Sequence, residues 1–499
     1  MSLKKSEVLM DLALRRSIFF PSAEIYGDSF SGFWDYGFYG TAIKNKIIEA
    51  WRKDLVEKEE FVEIDGAQIL PEKVFVASGH LENFNDPLVQ CIKCHSLHRA
   101  DSLLGEEFEL TEGTPTERFD ELIQKQKIKC PKCKGNLGKT KKFNLMMATD
   151  IGATGKLKGY LRPETCQNIF LNFSRIYKTM RKNLPFGIAQ TGKCFRNEIA
   201  PRNSILRIRE INQMEIEVFF NPDKINEIEN FKEVEDFPVR VLLNKKKSIE
   251  EIKAKDLVAK KLVSGKLVAY YLAKLQNFYE GIGIPRDKLR FREVDEEERA
   301  FYAIEGWDFE VETSLGWIEL VANNYRSDYD LKNHEKVSGT NLKLKEEEKE
   351  FTPHVFEISA GVDRSLHVLL ELALREETKK GENRLYLSLS PKIAPFIAGI
   401  FPLVNKEGLD IKARKIYDNL LEHKLNVFFD VKGSIGKRYA RVDEIGTSFA
   451  ITFDFDSLKD NSVTLRERDS TTQKRVLIDS LPELLWKLST QKTTFTQIK

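Results

Sequence analysis

Two Cys-x-x-Cys pairs carry the most specific chemistry in this sequence. The pairs are Cys91 with Cys94, and Cys130 with Cys133. Four thiolates at this spacing suit tetrahedral zinc, and a closed set of four sulfur ligands is typical of a structural site rather than a catalytic one. Buried free thiols or a redox pair are the alternatives, and His95 and His98 are possible substitute ligands. The spacing therefore predicts a zinc site in a reducing compartment.

Charged side chains cluster around a predicted hairpin in the middle of the chain. Arg196, Asn197 and Glu198 precede a loop. In the extended segment after that loop, alternate residues share one face. The residues on this face are Arg207, Arg209, Gln213, Glu215 and Glu217. So many polar groups on one face favour a bound polar ligand, and the alternative is an exposed sheet face held by ion pairs.

A strand that turns sharply into a helix supplies a further arginine. The strand is predicted at residues 355–359 and includes Glu357 and Ser359, and Arg364 falls in the first turn of the apolar helix after Gly361. Arginine is unfavourable to the helix dipole at that position. A bound anion such as a triphosphate would explain it, because free backbone N–H groups also point there. The alternative is that Arg364 caps a neighbouring loop.

Short strands form the predicted scaffold for these groups. They are predicted at residues 187–196, 207–220, 316–322 and 355–359. No regular helix is predicted between each strand and the next, which favours an antiparallel sheet over a doubly wound one.

The rest of the chain contains a predicted helix, an insertion, a linker and a second domain. Residues 40–58 have the apolar stripe of a helix, and the extended run after it ends at Pro71. Residues 222–290 are rich in Lys and Glu and are predicted to be a mainly helical, peripheral insertion. Residues 378–383 are predicted to be an interdomain linker, followed by a separate α/β domain at 384–499.

Composition narrows the class of protein. The chain has 499 residues, which predicts about three domains. A formal net charge of +2 argues against a protein that coats nucleic acid along its length. No run approaches the ~18 uncharged apolar residues of a membrane span, and the N-terminal residues do not resemble a secretory signal. We therefore expect a cytoplasmic protein with no membrane partner.

Together the motifs resemble class II aminoacyl-tRNA synthetases. Arg196-x-Glu198 with its return strand is similar to motif 2 of these enzymes, and Gly361-x-x-Arg364 is similar to motif 3. The helix, strand and Pro71 resemble motif 1, their dimerisation element. A longer set of segments resembles the glycyl-tRNA synthetases of the dimeric archaeal and eukaryotic type. These segments are residues 34–37, 63–65, 78–80, 159–165, 195–199, 207–210, 289–292, 307–308, 316–319, 435–446 and 463–469.

The resemblance implies an α+β architecture with two parts. The first, residues 1–383, is a class II catalytic domain in which helices flank an antiparallel sheet. Its parts are motif 1 at about 40–71, a zinc-ribbon-like insertion at 88–140, motif 2 at about 187–220, a helical insertion at 222–290 and motif 3 at about 355–375. The second, residues 384–499, is an α/β anticodon-binding domain.

The resemblance also implies a reaction and a set of site residues. A glycine–tRNA ligase activates glycine with ATP to glycyl-adenylate and transfers the glycyl group to the 3′-terminal ribose of tRNA(Gly). The implied ATP-binding residues are Arg196, Asn197, Glu198, Arg207, Ile208, Glu319, Leu320 and Arg364. Of these, Arg196, Glu198 and Arg364 are the implied catalytic residues. The implied glycine-binding residues are Arg162, Glu164, Glu215, Glu357 and Ser359. Glu319 is the implied ligand of Mg²⁺, zinc is structural, and a homodimer forms through motif 1.

Two other functions fit parts of the pattern. One is a non-catalytic, synthetase-like dimer that binds nucleic acid, which should lack the motif arginines and glutamates present here. The other is a class II synthetase for another small amino acid, against which the three glutamates of the implied glycine site speak. The chain departs from the family at Phe38, Ile358 and Phe301, where the family has proline, proline and histidine.

Overall fold

The computed structural model describes residues 5–105, 108, 110, 114–244, 246–346, 348–379 and 382–498. Parts of three predicted regions lie outside the described residues. They are 106–107, 109 and 111–113 of the zinc-ribbon-like insertion, 245 of the helical insertion, and 380–381 of the linker.

Helices and strands alternate along the described chain. The helices are α1 (Lys5–Arg15), α2 (Phe38–Trp51), α3 (Glu72–Ala77), α4 (His80–Asn83), α5 (Ala100–Leu104), α6 (Thr116–Lys125), α7 (Cys166–Met180), α8 (Ala254–Ala259), α9 (Lys266–Ile282), α10 (Tyr329–Ser338), α11 (Val362–Ala373), α12 (Leu409–Glu422), α13 (Ile435–Glu444), α14 (Ser457–Asp460) and α15 (Leu481–Ser489). The strands are β1 (Phe19–Pro21), β2 (Trp34–Tyr36), β3 (Val62–Ile64), β4 (Ile69–Pro71), β5 (Asn85–Gln90), β6 (Leu97–Arg99), β7 (Lys141–Asn144), β8 (Met147–Ile151), β9 (Leu157–Leu161), β10 (Phe186–Phe195), β11 (Glu210–Phe220), β12 (Pro238–Leu242), β13 (Glu250–Lys253), β14 (Leu289–Glu293), β15 (Glu305–Thr313), β16 (Gly316–Ser327), β17 (Leu344–Glu346), β18 (Lys349–Phe351), β19 (His354–Gly361), β20 (Leu374–Lys379), β21 (Glu382–Leu387), β22 (Ala398–Pro402), β23 (Val427–Phe429), β24 (Phe449–Phe453), β25 (Ser462–Glu467) and β26 (Gln473–Leu477).

A nine-stranded sheet forms the centre of the larger part of the molecule. Its spatial order is β13-β12-β14-β15-β16-β19-β11-β10-β3. The inner strands from β14 to β10 pair in antiparallel fashion, as predicted, whereas β12 pairs with β14 and β3 pairs with β10 in parallel. β19 lies between β16 and β11, and these three long strands carry the cavity described below.

Apolar residues alternate with polar ones along β11, and both faces of the strand are covered. Met214, Ile216 and Val218 point into the main core, which includes residues of α2, α9 and α11. On the opposite face Phe219 stacks on Phe173 of α7 at a ring distance of 4.0 Å. Period-two alternation thus buries apolar side chains on one face and leaves the carboxylates of the other between α7 and the cavity.

The segment at 222–290 differs from the predicted peripheral helical insertion. Its strands β12 and β13 and the start of β14 extend the central sheet. Helix α9 is buried along most of its length, with Leu267, Leu272 and Ile282 fully inside the main core. The high Lys and Glu content lies on the exposed side of these elements, for example in the ion pair between Lys246 and Glu250 at the start of β13. The high content of charged residues in this segment therefore led to a wrong prediction, because its amphipathic helix has an apolar face that packs in the core.

The stretch predicted as a linker is part of a hairpin. β20 and β21 pair in antiparallel register on either side of residues 380–381. After this hairpin comes a five-stranded sheet of order β23-β22-β24-β25-β26, in which the first three strands are parallel. Helices α12 and α13 pack against it, so this part has the α/β character that the sequence predicts.

Ion pairs join the two parts of the molecule. Arg15 and Arg16 at the end of α1 both bind Glu444 at the end of α13. Arg384 of β21 binds the buried Asp443, which Arg466 of β25 also holds through two hydrogen bonds of 3.0 and 2.9 Å. The hairpin and the first helix therefore hold the smaller part in a defined position.

Candidate functional site

A cavity of about 470 Å³ opens on the central sheet beside β11, β16 and β19. It brings together most of the residues that the sequence implied. Those that line it are Glu164, Arg196, Glu198, Arg207, Ile208, Glu319, Leu320, Glu357, Ser359 and Arg364. Glu215 lies below this lining and is fully buried.

Three carboxylates form one end of the site. Across the β11–β19 ladder Glu215 lies opposite Ser359, and Glu217 lies opposite Glu357. Directly opposed residues in an antiparallel pair project from the same face. The carboxylate oxygens of Glu215, Glu217 and Glu357 all lie within 4.8 Å of one another, and at most 1% of each residue is exposed. Burial, Glu357 and Glu164 together raise the pKa of Glu215 to about 8.

Glu164 reaches the same end of the cavity and has a different charge balance. His80 Nε2 lies 2.8 Å from Glu164 Oε1. Burial alone would raise the pKa of this carboxyl, but His80, Arg326 and Arg196 outweigh burial and hold the pKa well below its usual value. Glu164 is therefore an anion beside carboxyls that hold protons more tightly, and such a cluster suits a small cationic ligand.

Arg326 is the buried cation behind these carboxylates. Its guanidinium makes two hydrogen bonds to Asp330, of 2.7 and 2.8 Å, and lies 3.2 Å from Glu357 Oε2. The ring of Tyr302 stacks over it at 3.6 Å. Asn324 Nδ2 donates to Glu357 at 2.8 Å, which fixes the orientation of that carboxylate.

Gln213 joins the carboxylate end to its surroundings. Its Oε1 accepts a hydrogen bond from the backbone N–H of Thr165 at 3.0 Å, and its Nε2 donates to Ser359 Oγ. Thr165 Oγ1 in turn donates to Glu215. The side chains that face the cavity are thus held by hydrogen bonds before any ligand binds, and preorganised sites of this kind bind small polar ligands selectively.

The basic groups lie along the rest of the cavity. Arg196 Nε donates to the carbonyl of Pro163 at 3.1 Å, and its guanidinium lies 5.3 Å from the ring of Phe84. Arg207 Nε donates to Glu198 at 2.7 Å, and Arg207 also lies 3.6 Å from Asp86. Nitrogens of Arg196 and Arg207 that are not used in these contacts suit an anionic ligand.

Arg364 and Glu319 meet at the outer side of the cavity. Arg364 Nη1 donates to the Glu319 carbonyl at 3.0 Å and lies 3.3 Å from its carboxylate. Asp308 lies nearby, and burial together with the charge of Glu319 raises its pKa to about 8. About half of the Glu319 side chain is open to solvent. A carboxylate with access to water, such as that of Glu319, is a donor that Mg²⁺ prefers, because it binds oxygen ligands and retains water.

The start of motif 3 is anchored by the residue next to Arg364. Asp363 is buried, and it accepts hydrogen bonds from the hydroxyl of Tyr36 and from the backbone and side-chain nitrogens of Asn212. These contacts connect β2, β11 and α11, and they fix the turn that presents Arg364 to the cavity.

Besides Glu215, two of the implied residues do not line the cavity. Arg162 donates to the carbonyls of Lys193 and Gly66, at 2.9 and 3.0 Å, and to Asn168 Oδ1 at 3.1 Å. Its guanidinium is thus used to hold backbone segments together rather than to face a ligand. The backbone N–H of Asn197 donates to the carbonyl of Leu145, and its side chain does not line the cavity either.

Several site residues were absent from the sequence-based set. They are His80, Asn324, Arg326, Asp308, Asp86 and Asp363. His80 belongs to the segment 78–80 that resembled the family, so a signal for it was present. Arg326 and Asn324 reach the site only through the pairing of β16 with β19, which no local pattern reveals.

The four cysteines converge beside the small sheet of β5, β6 and β7, in the turn that follows β5 and in the segment that precedes β7. Sγ of Cys91 lies 3.5 Å from that of Cys133, and Sγ of Cys94 lies 3.7 Å from that of Cys130. Four Zn–S bonds of about 2.3 Å in a tetrahedron place the sulfurs about 3.8 Å apart, so the arrangement fits zinc. The residue after each pair, His95 or Lys134, has positive φ, and the two pairs thus share one turn geometry.

The geometry also shows the places of the alternative ligand His98 and of the two remaining cysteines. His98 Nε2 lies 3.5 Å from Cys130 Sγ and binds Ser96 Oγ at 2.8 Å, so it is a neighbour of the sulfurs rather than one of the four donors. Cys166 and Cys194 are buried elsewhere.

Family comparisons agree with this layout. The family described as "tRNA synthetase class II core domain (G, H, P, S and T)" matches residues 153–373, and the family described as "Anticodon binding domain" matches residues 398–488. The crystal structure of prolyl-tRNA synthetase from Cryptosporidium parvum complexed with halofuginone and AMPPNP has the same fold. Its TM-score is 0.58 at 12% sequence identity, over 97% of this chain and 75% of that chain.

Curated proteins of similar sequence extend over the full length. The chain is 39% identical to the "Glycine–tRNA ligase" of Methanocaldococcus jannaschii, over 96% of this chain and 98% of that protein. It is 38% identical to the "Glycine–tRNA ligase" of Pyrococcus furiosus, over 98% of this chain and 100% of that protein. The first alignment spans 571 positions, more than the 499 residues of this chain, so that relative contains internal segments that this chain lacks.

Proposed function

The chain belongs to the glycine–tRNA ligases, a family of class II aminoacyl-tRNA synthetases, and we propose here how its own residues divide that reaction among them. The enzyme activates glycine with ATP to glycyl-adenylate and transfers the glycyl group to the 3′-terminal ribose of tRNA(Gly). The predicted fold class is confirmed: a class II core is followed by an anticodon-binding domain.

The carboxylate end of the cavity is the proposed glycine site, and its geometry is the observation that carries this assignment. Glu164, Glu215 and Glu357, with Ser359 beside them, would surround the ammonium group of the substrate. An ammonium has three N–H donors, which matches a set of three carboxylates. We expect these side chains to clash with a substrate side chain, since a pocket excludes larger amino acids by clash more readily than it rejects smaller ones.

Arg196 is the proposed catalytic residue of the first step. A carboxylate oxygen of glycine attacks the α-phosphorus of ATP, the bond to the β-phosphate oxygen breaks, and pyrophosphate leaves. Two anions must approach each other, so the reaction needs cations and positioning more than a general acid or base. Arg196 lies between the carboxylate end and the basic part of the cavity, where it would bridge the substrate carboxylate and the α-phosphate.

ATP would occupy the basic part of the cavity. Arg364 would hold the distal phosphates, and Glu198, Arg207, Ile208 and Leu320 would contact the rest of the nucleotide. The backbone of Asn197 is tied to Leu145, so we assign that residue a supporting role only. Glu319, with Asp308 nearby, would bind Mg²⁺, which when bound neutralises phosphate charge.

The four-cysteine site would hold a structural zinc ion, as its sulfur spacing suggests. Residues 398–488 match the anticodon binding domain family, and we propose that this domain contacts tRNA(Gly). A homodimer through motif 1 and a cytoplasmic location are further proposals. Ile69 lies at the end of motif 1 and Val76 just beyond it, and these apolar residues are 45% and 55% exposed. Their exposure in the single chain supports a surface that a second copy of the chain covers.

Within the described residues, no helix has the length and apolar character needed to cross a bilayer.

Amino-acid-dependent ATP–pyrophosphate exchange tests this function. Each of the twenty amino acids is supplied in turn, without tRNA. Exchange with glycine alone is expected. Exchange with a different small amino acid would contradict the glycine site, and no exchange with any amino acid would contradict the catalytic assignment. Light scattering of the purified protein separately decides between monomer and dimer.

A further inference from the structure

Glu217 is a buried acid that the reaction as described above does not use. It lies on β11, two residues from Glu215 on the same face and opposite Glu357 on β19. None of its surface is exposed. Among the described residues, neither of its carboxylate oxygens has a hydrogen-bond partner. Its oxygens nevertheless lie within 4.8 Å of those of both Glu215 and Glu357.

The groups around Glu217 cannot neutralise a negative charge on it. The charged and titratable groups that face it from the surrounding elements are Glu215 on β11, Glu357 on β19, Arg326 on β16, Asp330 on α10 and Cys166 on α7. The one cation in this set, Arg326, makes two hydrogen bonds to Asp330 and lies 3.2 Å from Glu357. The remaining groups are acids, so the net charge of the groups around Glu217 is negative or zero.

An unpaired carboxylate in such a place is strongly disfavoured. Burial of a charge without a partner is expensive, and neighbouring carboxylates that share a site hold a proton between them. Burial and the nearby Glu357 raise the pKa of Glu217 well above its ordinary value, in agreement with this geometry. Burial also raises the pKa of Glu357, but Arg326 and Asn324 both oppose this shift and stabilise its anionic form.

We propose that Glu217 is a positioning residue for glycine activation, which holds a proton and donates it in a hydrogen bond to the carboxylate of Glu357. The proposal rests on the glycine site assigned above. Because the oxygens are within 4.8 Å, rotation about the side-chain bonds brings the hydroxyl of Glu217 to hydrogen-bond distance of Glu357. That bond fixes Glu357 from behind, on the side away from the cavity.

The proton also sets the charge of the site. With Glu217 neutral, the carboxylates that face the cavity carry a negative charge that one ammonium group can match. If Glu217 loses its proton to the solvent at high pH, its hydrogen bond to Glu357 is lost and the two carboxylates repel each other. Glu357 then moves from the position in which it accepts a hydrogen bond from the substrate ammonium, so glycine affinity falls as pH rises through the titration of Glu217.

Glycine-dependent exchange kinetics of two variants test the role. Glu217→Gln keeps a neutral donor of the same shape, and Glu217→Met keeps the volume but removes the donor. The KM for glycine should stay within about threefold of wild type in Glu217→Gln and lose its alkaline rise, whereas it should increase about tenfold or more in Glu217→Met, as for a lost hydrogen bond to a charged group. The KM for ATP should be unchanged in both. Equal glycine KM values in wild type and Glu217→Met across the pH range would overturn the proposal.

Infrared spectroscopy of the free protein tests the proton directly. A protonated carboxyl group has a C=O band distinct from that of a carboxylate. Glu215 and Asp308 also contribute to this band near neutral pH, because their pKa values are raised to about 8, so the band should lose the intensity of one carboxyl group in Glu217→Gln. Glu371→Gln is the matched control: Glu371 is equally buried, but its interactions with His367 and Ser314 lower its pKa despite burial, so the band should persist. An unchanged band in Glu217→Gln would overturn the proposal. This measurement needs no substrate, so it decides on Glu217 even if glycine-dependent exchange, and with it the proposed function, fails in wild type.

Discussion

Asp86, on the strand that leads to the first cysteine pair, places a carboxylate oxygen 3.6 Å from the guanidinium of Arg207. The same carboxylate binds Arg99 at 2.6 Å, on the strand that leaves that pair. The zinc-ribbon-like insertion therefore borders the basic part of the cavity, and its fold and the position of Arg207 depend on each other.

Replacement of Asp86 by Asn should weaken ATP binding. Asp86 and Glu198 hold Arg207 from two sides, and the loss of one carboxylate leaves its guanidinium less well placed. We expect the KM for ATP to rise several-fold, by about 1 kcal/mol for a partly exposed charge pair, with the KM for glycine unchanged. Exchange kinetics measure both. Asp150→Asn, which removes a surface ion pair with Lys158, is the matched control.

The same contact should give ATP binding a dependence on pH. Burial raises the pKa of Asp86 to about 6, with Arg99 opposing this shift and Glu198 adding to it. As pH falls through about 6, Asp86 takes up a proton and ceases to attract Arg207, so the KM for ATP should rise on the acid side. In Asp86→Asn this acid limb should be absent. If the KM for ATP of Asp86→Asn still rises at acid pH, another titrating group causes the rise.

Stability should show the opposite dependence at this residue. The folded-state pKa of Asp86 is above its usual 3.8, so the folded protein binds more protons between these two values. This contribution is fully present below about pH 4 and is lost as pH rises through about 6. Relative to Asp86→Asn, the unfolding free energy of wild type should therefore fall by up to about 3 kcal/mol over this window. Denaturant unfolding at several pH values measures the difference.

Replacement of Arg196 by Ala should remove most adenylate formation. A preorganised charge at the reacting phosphate contributes about 3 kcal/mol, or roughly a hundredfold in rate. The loss should appear in kcat for exchange more than in either KM. Arg118→Ala, on the exposed surface of α6, should leave the rate unchanged. A variant at Arg196 with near wild-type exchange would contradict its assignment as the catalytic residue.

Replacement of Cys91 and Cys94 by Ser should release a bound metal. Elemental analysis of the wild-type protein should find one zinc per chain, and the double variant should contain none. His95→Ala should retain the metal, since four cysteine sulfurs complete the tetrahedron. Wild-type protein without zinc, prepared without chelators, would refute the site.

Replacement of Glu319 by Gln should change the response to magnesium. A neutral amide is a weaker ligand for Mg²⁺ than a carboxylate, so half-maximal exchange should need about tenfold more of the ion. Glu312→Gln, at the end of β15, removes a surface contact with Lys288 and serves as the control. If both variants need the same Mg²⁺ concentration for half-maximal exchange, Glu319 is not a ligand of the ion.

Much of the site follows from strand periodicity and spacing. The alternation along 207–220 is enough to predict that Glu215 and Glu217 share one face, and the cysteine spacing is enough to predict which four sulfurs converge. The partners that set the charge of the glutamates were not predicted, because Arg326 and Asn324 reach Glu357 through strand pairing over about thirty residues.

Two expectations failed to match the structure for physical reasons. Arg162 lies in a segment typical of the family, yet its guanidinium satisfies buried backbone carbonyls, and residue type alone cannot reveal which partner a side chain takes. The segment at 222–290 was assigned to the periphery by its charge, although the apolar stripe of α9 lies in the core. Composition averaged over a segment conceals periodicity within it.

The position of β19 has a consequence for the order in which this protein is made on the ribosome. Every other strand of the central sheet precedes β19 in the chain, yet β19 lies between β16 and β11. Until it emerges, two incomplete half-sheets present unpaired edges, which are the sites where growing chains associate wrongly. The strand that joins them also carries Glu357 and Ser359, so closing the sheet and creating the substrate pocket are a single event, and a truncated nascent chain has neither.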